Sequence, residues 1–324
     1  SIRRRDTMVK SLSSQVELNQ DLILKADTPI LDIASQFWEG ERQNAARICY
    51  QSMRAIDDLI DNRKTEMLTF SPLEKQQFTT RINAWAEGID TTLPCNPQQQ
   101  DLLNVVTRFK MPKWPWRQFS QSMIYDIYHN GFQTFTNFLT YAEGAAVAPG
   151  SIALHLCGVI KVAGQYLPPQ FNIRKVARPL ALFSYLVHII RDFQKDQHDN
   201  LNYIAQDLMN RYTITPEMLK AIAEGQAIPL KFRELMNEYY RFADYYRCKA
   251  RKVLNTIYVY LQPRYQLSLE IIYNLYHLVF ERINISNGAF TSKEFTPSSR
   301  EIKDRITQTI SHFYSTIEKM GGIK

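Results

Sequence analysis

Apolar residues recur at i, i+3, i+4 and i+7 through seven long segments of the chain: 40–63, 100–110, 118–142, 174–198, 231–260, 267–285 and 299–319. That period is one face of an α-helix, and strand-like alternation is nearly absent. Gly (11) and Pro (14) are too sparse for the many tight turns of an all-β protein. The breaks, such as FSPLEK at 70–75, LPCNP at 93–97 and KMPKWPW at 110–116, are short. No interdomain linker is legible among them. A chain of 324 residues that is 45% hydrophobic has the material for one all-α domain of roughly ten helices.

The formal net charge is +7, but beyond the RRR at 3–5 the basic residues are scattered. A nucleic-acid partner is therefore not expected. The basic, aromatic stretch at 231–252 reads as a solvated helix with an aromatic core stripe. The four cysteines, Cys49, Cys95, Cys157 and Cys248, form no CxxC and read as ordinary thiols in a reducing compartment. The most apolar stretch, 145–160, contains Pro149 and His155 and is too short for a membrane span. Neither a signal peptide nor a C-terminal anchor is legible. The expectation is a cytoplasmic protein, monomeric or homodimeric, with membrane contact limited to the periphery.

Two stretches break the apolar pattern in the same way, RAIDDLID at 54–61 and IIRDFQKD at 189–196. In the first, Tyr50, Arg54, Asp57, Asp58 and Asp61 fall at i, i+4, i+7, i+8 and i+11, which is one helix face. In the second, Tyr185, His188, Asp192 and Asp196 share a face. Like charges one turn apart disfavour an isolated helix, and Ile48, Met53, Ile56 and Ile60 mark the first helix as packed rather than solvated. Two carboxylates a turn apart can instead hold a divalent cation. Mg²⁺ takes oxygen ligands and is commonly shared between carboxylates and substrate phosphates. Two such helices facing one another would form a metal cluster that grips a diphosphate, with Arg54 and Arg191 supplying further positive charge.

With these motifs in place, the chain resembles the squalene/phytoene synthase family over residues 25–295. YQSMRAIDDLIDN resembles that family's first metal-binding helix, and IIRDFQKDQHDNLNYI its second. The segment at 124–150 matches at Asp126, Gly131, Tyr141, Gly144, Ala146 and Gly150, and the C-terminal part at Tyr276 and Lys293. The resemblance implies a single-domain isoprenoid-synthase helical bundle around a central apolar cavity. Residues 1–24 would be an N-terminal extension, with 1–7 a remnant ahead of Met8. Residues 296–324 would be a C-terminal helix packed on the domain.

The resemblance further implies Mg²⁺ (two or three ions, or Mn²⁺) on Asp57, Asp61, Asp192 and Asp196, with Asp58 one position off the pair. Arg54, Arg191 and Lys293 would contact diphosphate. Tyr50, Asp126, Tyr141, Tyr203 and Tyr276 would orient it or shield a cation. The implied reaction joins two prenyl diphosphates, farnesyl or geranylgeranyl, head to head through a cyclopropylcarbinyl diphosphate. The product would be of squalene, dehydrosqualene or phytoene type, and NADPH use is left open. Small residues in GAAVAPG would make room for prenyl tails.

The chain departs from the family pattern at several positions. ADTPIL, with Thr28, stands in place of a Ser-rich flap. His188 stands for an Asn, Leu201 for an Arg and Lys195 for a Glu. These changes keep two other readings open: a reaction of a single prenyl diphosphate (cyclisation or transfer to another acceptor), and a scaffold without catalysis. His188 itself reads as a core histidine bonded to a neighbour, since Mg²⁺ favours oxygen.

Overall fold

Short polar side chains start many of the helices. In this computed structural model, which describes residues 30–66 and 69–321, Ser71 accepts a hydrogen bond from the Glu74 N–H while the Glu74 carboxylate accepts from the Ser71 N–H. This reciprocal pair, with Pro72 at the first helical position, satisfies amides that have no partner inside the helix. Thr134, Asn172, Thr215 and Thr291 each accept one backbone N–H through a side-chain oxygen at the start of a later helix.

The helices are α1 (Ile30–Ser35), α2 (Gly40–Glu66), α3 (Pro72–Thr91), α4 (Gln99–Arg108), α5 (Trp114–Tyr128), α6 (Phe135–Ala142), α7 (Ala148–Gly158) and α8 (Ile173–Arg191). They continue as α9 (Phe193–His198), α10 (Gln206–Arg211), α11 (Pro216–Ala223), α12 (Leu230–Ile257), α13 (Pro263–Glu281), α14 (Ser292–Phe295) and α15 (Ser299–Gly321). Helix α8 is central. It packs along α12 and also meets α7 and α13. Helix α2 leans on α4, α5 and α7. The stripe expected on α12 is present: Phe232, Leu235, Met236, Tyr239 and Ala243 are buried.

Several elements differ from the periodic pattern. The helix expected over 118–142 is interrupted between Tyr128 and Phe135, where Gly131 takes φ 150°. The helix expected over 174–198 breaks at Asp192, whose φ and ψ of −93° and 9° lie outside the helix. Helix α3 escapes a periodicity search because it is mostly polar, with an apolar face reduced to Ile82, Trp85, Ala86 and Ile89. Helix α7 escapes it for the opposite reason, being buried on nearly every side. A small antiparallel hairpin also appears, β1 (Ile160–Val162) with β2 (Gln165–Leu167), pairing Ile160 with Leu167. Ala163 and Gly164, at φ 50° and 78°, supply the two left-handed residues of its tight turn.

Between α6 and α7 the chain widens into a π-helical turn, Glu143–Val147, in which the Ala148 N–H bonds to the Glu143 carbonyl. Pro149 follows and has no N–H to continue a regular ladder. Gly144 and Gly150 serve close helix packing. A Cβ on Gly144 would lie 2.1 Å from Ser122 Oγ and 2.2 Å from the Gln118 carbonyl, and one on Gly150 would lie 3.1 Å from the Ala181 Cβ. Gly144→Ala is therefore expected to destabilise the protein by about 3 kcal/mol, because backbone rather than a flexible side chain blocks the methyl. Thermal unfolding of the purified variant checks this, and an unchanged midpoint would contradict the close approach.

Four cysteines are free thiols, two buried (Cys49, Cys157) and two exposed (Cys95, Cys248). Among the described residues no helix is long and apolar enough to cross a membrane. The extension at 1–24 and positions 26–29 of the altered flap, Thr28 among them, lie outside the described residues, while Ile30 and Leu31 of that stretch open α1.

Candidate active site

Helix α2 presents its acidic face inward only in part. Asp57 and Asp61 are half-buried, whereas Asp58 is exposed and sits 3.6 Å from Arg54, itself 68% exposed. Arg54 thus lies on the outer flank of the helix, an exposed pair contributing little to stability. Further up α2, the Tyr50 hydroxyl donates to the Pro149 carbonyl at 2.7 Å and ties α2 to the start of α7. One more turn down, buried Lys64 reaches across to α5. Its ammonium donates to the His129 carbonyl at 2.8 Å and lies 3.5 Å from Asp126 Oδ1.

Asp126 is the third inward carboxylate. The Tyr141 hydroxyl donates to its Oδ2 at 2.6 Å. Burial pushes the Asp126 carboxyl above its usual range, against the pull of Lys64 and Tyr141. Burial also raises Asp57 well above the usual range, and repulsion from Asp61 and Asp126 adds to it. Asp61 rises to about 7, through burial and then repulsion from Asp126.

The fourth carboxylate comes from α9. Asp196 rises to about 8, through burial, then repulsion from Asp192, with Asp61 and Asp199 contributing. Asp57, Asp61, Asp126 and Asp196, drawn from three helices, therefore press negative charge on one region. This is the physical content of a site that wants cations.

Asp192 behaves differently. Burial opposes its ionisation, yet the bonds and charge of His188 and Arg191 outweigh that and hold its carboxyl well below the usual range. His188 Nε2 lies 2.8 Å from Asp192 Oδ2, Arg191 Nε 2.8 Å from Oδ1, and Arg191 Nη2 3.0 Å from His188 Nδ1. A guanidinium can only donate, so Nδ1 accepts and Nε2 carries the proton given to Asp192. The expected hydrogen bond to a neighbour exists, but His188 is half-exposed rather than a core histidine. Tyr276 stands beside Arg191 and Asp192, with burial the main influence on its hydroxyl. Lys293 is exposed on α14, which docks beside α9 through the Ser292 N–H and the Gln194 side-chain oxygen at 3.0 Å.

Aromatic rings gather beside the acidic residues. Tyr185 stacks on Phe138 at 5.6 Å and meets Tyr203 edge-on at 6.3 Å, while Phe132 lies 5.1 Å from Tyr141. Burial raises the hydroxyls of Tyr185 and Tyr203, and for both Asp61, Asp126 and Asp196 add to the rise. Two cavities at the acidic end are water-sized. The one of about 20 Å³ is bounded by Lys64, Asp126, Asn200, Asn202 and Tyr203. Among the described residues no three His, Cys, Asp or Glu side chains converge closely enough to hold one ion. The site is an acidic cluster bordered by aromatic rings.

The geometry thus brings Asp57, Asp61, Asp126, Asp196, Tyr141 and Tyr203 into one cluster, with Asp192, Arg191 and Tyr276 beside it. Arg54, Asp58 and Lys293 remain on the exposed side. Lys64 belongs to the cluster and was not singled out from sequence, and Tyr185, read there as part of the second acidic face but given no role, belongs to it too. Their signal was the helical register: Lys64 is i+7 from Asp57, and Tyr185 shares the face of Asp192 and Asp196.

The described residues are mostly helical with almost no sheet, and gather acidic side chains from three helices beside aromatic rings, as the isoprenoid-synthase fold does. The sequence profile of squalene/phytoene synthase matches residues 32–301, and the chain belongs to that family. Its structure is similar to that of a dehydrosqualene synthase crystallised with a ligand, with a TM-score of 0.65 and 16% identity over 96% of this chain and 99% of the other. It is also similar to the squalene synthase HpnC from Alicyclobacillus acidocaldarius, with a TM-score of 0.54 and 11% identity over 76% of this chain and 96% of the other. At these identities the likeness is one of fold. No curated protein sequence matches the chain.

Proposed function

We propose that the chain is a Mg²⁺-dependent prenyltransferase that joins two prenyl diphosphates head to head. The observation that carries this is the gathering of Asp57, Asp61, Asp126 and Asp196 from three helices in one region, where burial raises every one of them and like charge adds to the rise at Asp57, Asp61 and Asp196. Oxygen-only donors in negative excess fit Mg²⁺ or Mn²⁺, and the candidate ligands are Asp57 and Asp61 on α2 with Asp192 and Asp196 on the α8–α9 junction. When bound, such ions would supply Lewis-acid stabilisation of the departing diphosphate.

The chain's own residues account for the rest. Arg191, fixed between His188 and Asp192, offers guanidinium N–H donors at the edge of the cluster. Tyr185, Tyr203 and Phe132 present ring faces that would shield an allylic cation from water and stabilise it. Tyr141 holds Asp126 oriented.

A reaction of one prenyl diphosphate alone is the second reading. The departures from the family pattern at His188 and Leu201 and in the flap favour keeping it open. Product mass separates the two. Incubation with farnesyl or geranylgeranyl diphosphate and Mg²⁺, with and without NADPH, is expected to yield a hydrocarbon of twice the substrate's carbon number, lost with EDTA. Its hydrogen count reports whether NADPH supplies a hydride. Products of monomer size alone would overturn the head-to-head reading.

A further inference from the structure

Lys64 is a buried lysine inside a cluster of carboxylates. It follows Asp57 and Asp61 at i+7 and i+3, so it continues the same face of α2. Its ammonium donates to the His129 carbonyl at 2.8 Å and stands 3.5 Å from Asp126 Oδ1. It also lines the water-sized cavity at the acidic end of the bundle, together with Asp126 and Tyr203. Its charge favours the ionised forms of both Asp61 and Asp126. A buried lysine is uncommon unless paired, and Asp126 with the His129 carbonyl explains its place.

Four carboxylates facing one another without a cation would repel; one fixed cation offsets part of that repulsion without any bound metal. The same fixed charge must also oppose the approach of divalent ions to Asp57 and Asp61. A substrate diphosphate would reverse that balance, because its own charge compensates ions that the protein alone holds weakly.

We infer that Lys64 is a built-in counter-ion of the acidic site, a positioning residue that keeps the cluster folded without metal and holds divalent-ion affinity low until a diphosphate arrives. This inference rests on the metal-site reading above. It separates Lys64 from a lysine that merely bridges α2 and α5.

The test measures Mn²⁺ binding directly, with no substrate and no diphosphate present, by calorimetry and by the electron-spin signal of free Mn²⁺. Lys64→Gln keeps a donor for the His129 carbonyl and removes the charge, whereas Lys64→Arg keeps the charge. Lys64→Gln is expected to bind Mn²⁺ roughly tenfold more tightly than the unaltered protein, the effect of one unit charge a few ångströms away in a partly screened site. Lys64→Arg is expected to match the unaltered protein. Inorganic diphosphate, added as the probe, should narrow the difference between Lys64→Gln and the unaltered protein. Should Lys64→Gln fail to fold, Lys64→Met, which keeps the aliphatic stem, carries the same expectation. Equal or weaker Mn²⁺ binding by the neutral variant, with binding by the unaltered protein intact, overturns the counter-ion role alone. Mn²⁺ binding by neither overturns the counter-ion role and the metal site together.

Discussion

Asp61→Asn is expected to separate activity from stability. The asparagine keeps the size and one oxygen of the side chain but cannot balance a divalent ion. Diphosphate release should fall on the order of 10²–10³-fold, the usual cost of removing one preorganised electrostatic partner of the transition state. The metal-free protein should become more stable. Burial and repulsion from Asp126 lift Asp61 to about 7, so above that pH the folded protein carries a charge it would do better without. Relief of that penalty is worth about 2 kcal/mol after allowance for partial exposure. Steady-state assay and thermal unfolding in EDTA read the two effects. A variant that loses stability in step with activity would mark Asp61 as a structural residue.

The stability of the metal-free protein should fall as pH rises from about 4 to about 8. Asp61 and Asp196 titrate near 7 and 8 in the folded state and near 4 once unfolded. A group with its folded pKa raised contributes stability that is complete below the unfolded value and lost as pH passes the folded value. Through this window the folded state holds protons that the unfolded chain has released, so the slope of unfolding free energy with pH is negative. Groups shifted downward act elsewhere. Glu41 is held at about 2, chiefly by its bond from Arg108, and its contribution is lost only as pH falls below about 4.5.

The midpoint in EDTA should therefore drop by several degrees between pH 5 and pH 8.5, at roughly 2 °C per kcal/mol for a chain of this size. Asp196→Asn should flatten that slope, and Mg²⁺ should abolish it, because a bound cation favours the ionised carboxylates. A midpoint that rises across the window, or a slope untouched by Asp196→Asn, would contradict the clustering of charge.

What could be read from sequence follows from how local each signal is. The spacing of Asp57 and Asp61 within α2 is a property of one helix, and so it was legible. So was the apolar stripe of α12. The convergence of Asp126 with Asp57 and Asp61 depends on how α5 crosses α2, which no periodicity encodes. Asp126 could be read from sequence as an ion-pair partner or a functional acid. The structure gives it Lys64 as that partner and also sets it among the acids. The break at Asp192 was hidden because the apolar period runs through it unaltered. It separates α9 from α8 and leaves Asp192 to His188 and Arg191 while Asp196 feels the charge of Asp61. GAAVAPG was expected to make room for prenyl tails, and at Gly144 the space beside the backbone is taken. A small residue can make room for a ligand or for a neighbouring backbone, and here Gln118 and Ser122 occupy the space.

The central claim is that the two acidic helices together hold a metal-bound diphosphate. Its most direct test is a crystal structure grown with Mn²⁺ and a prenyl thiodiphosphate that resists ionisation. Anomalous scattering is expected at Asp57 and Asp61 and at Asp192 and Asp196, with the diphosphate between them and the rings of Tyr185 and Tyr203 displaced toward the prenyl chain. Manganese confined to surface carboxylates, or a diphosphate bound away from both helices, would contradict it.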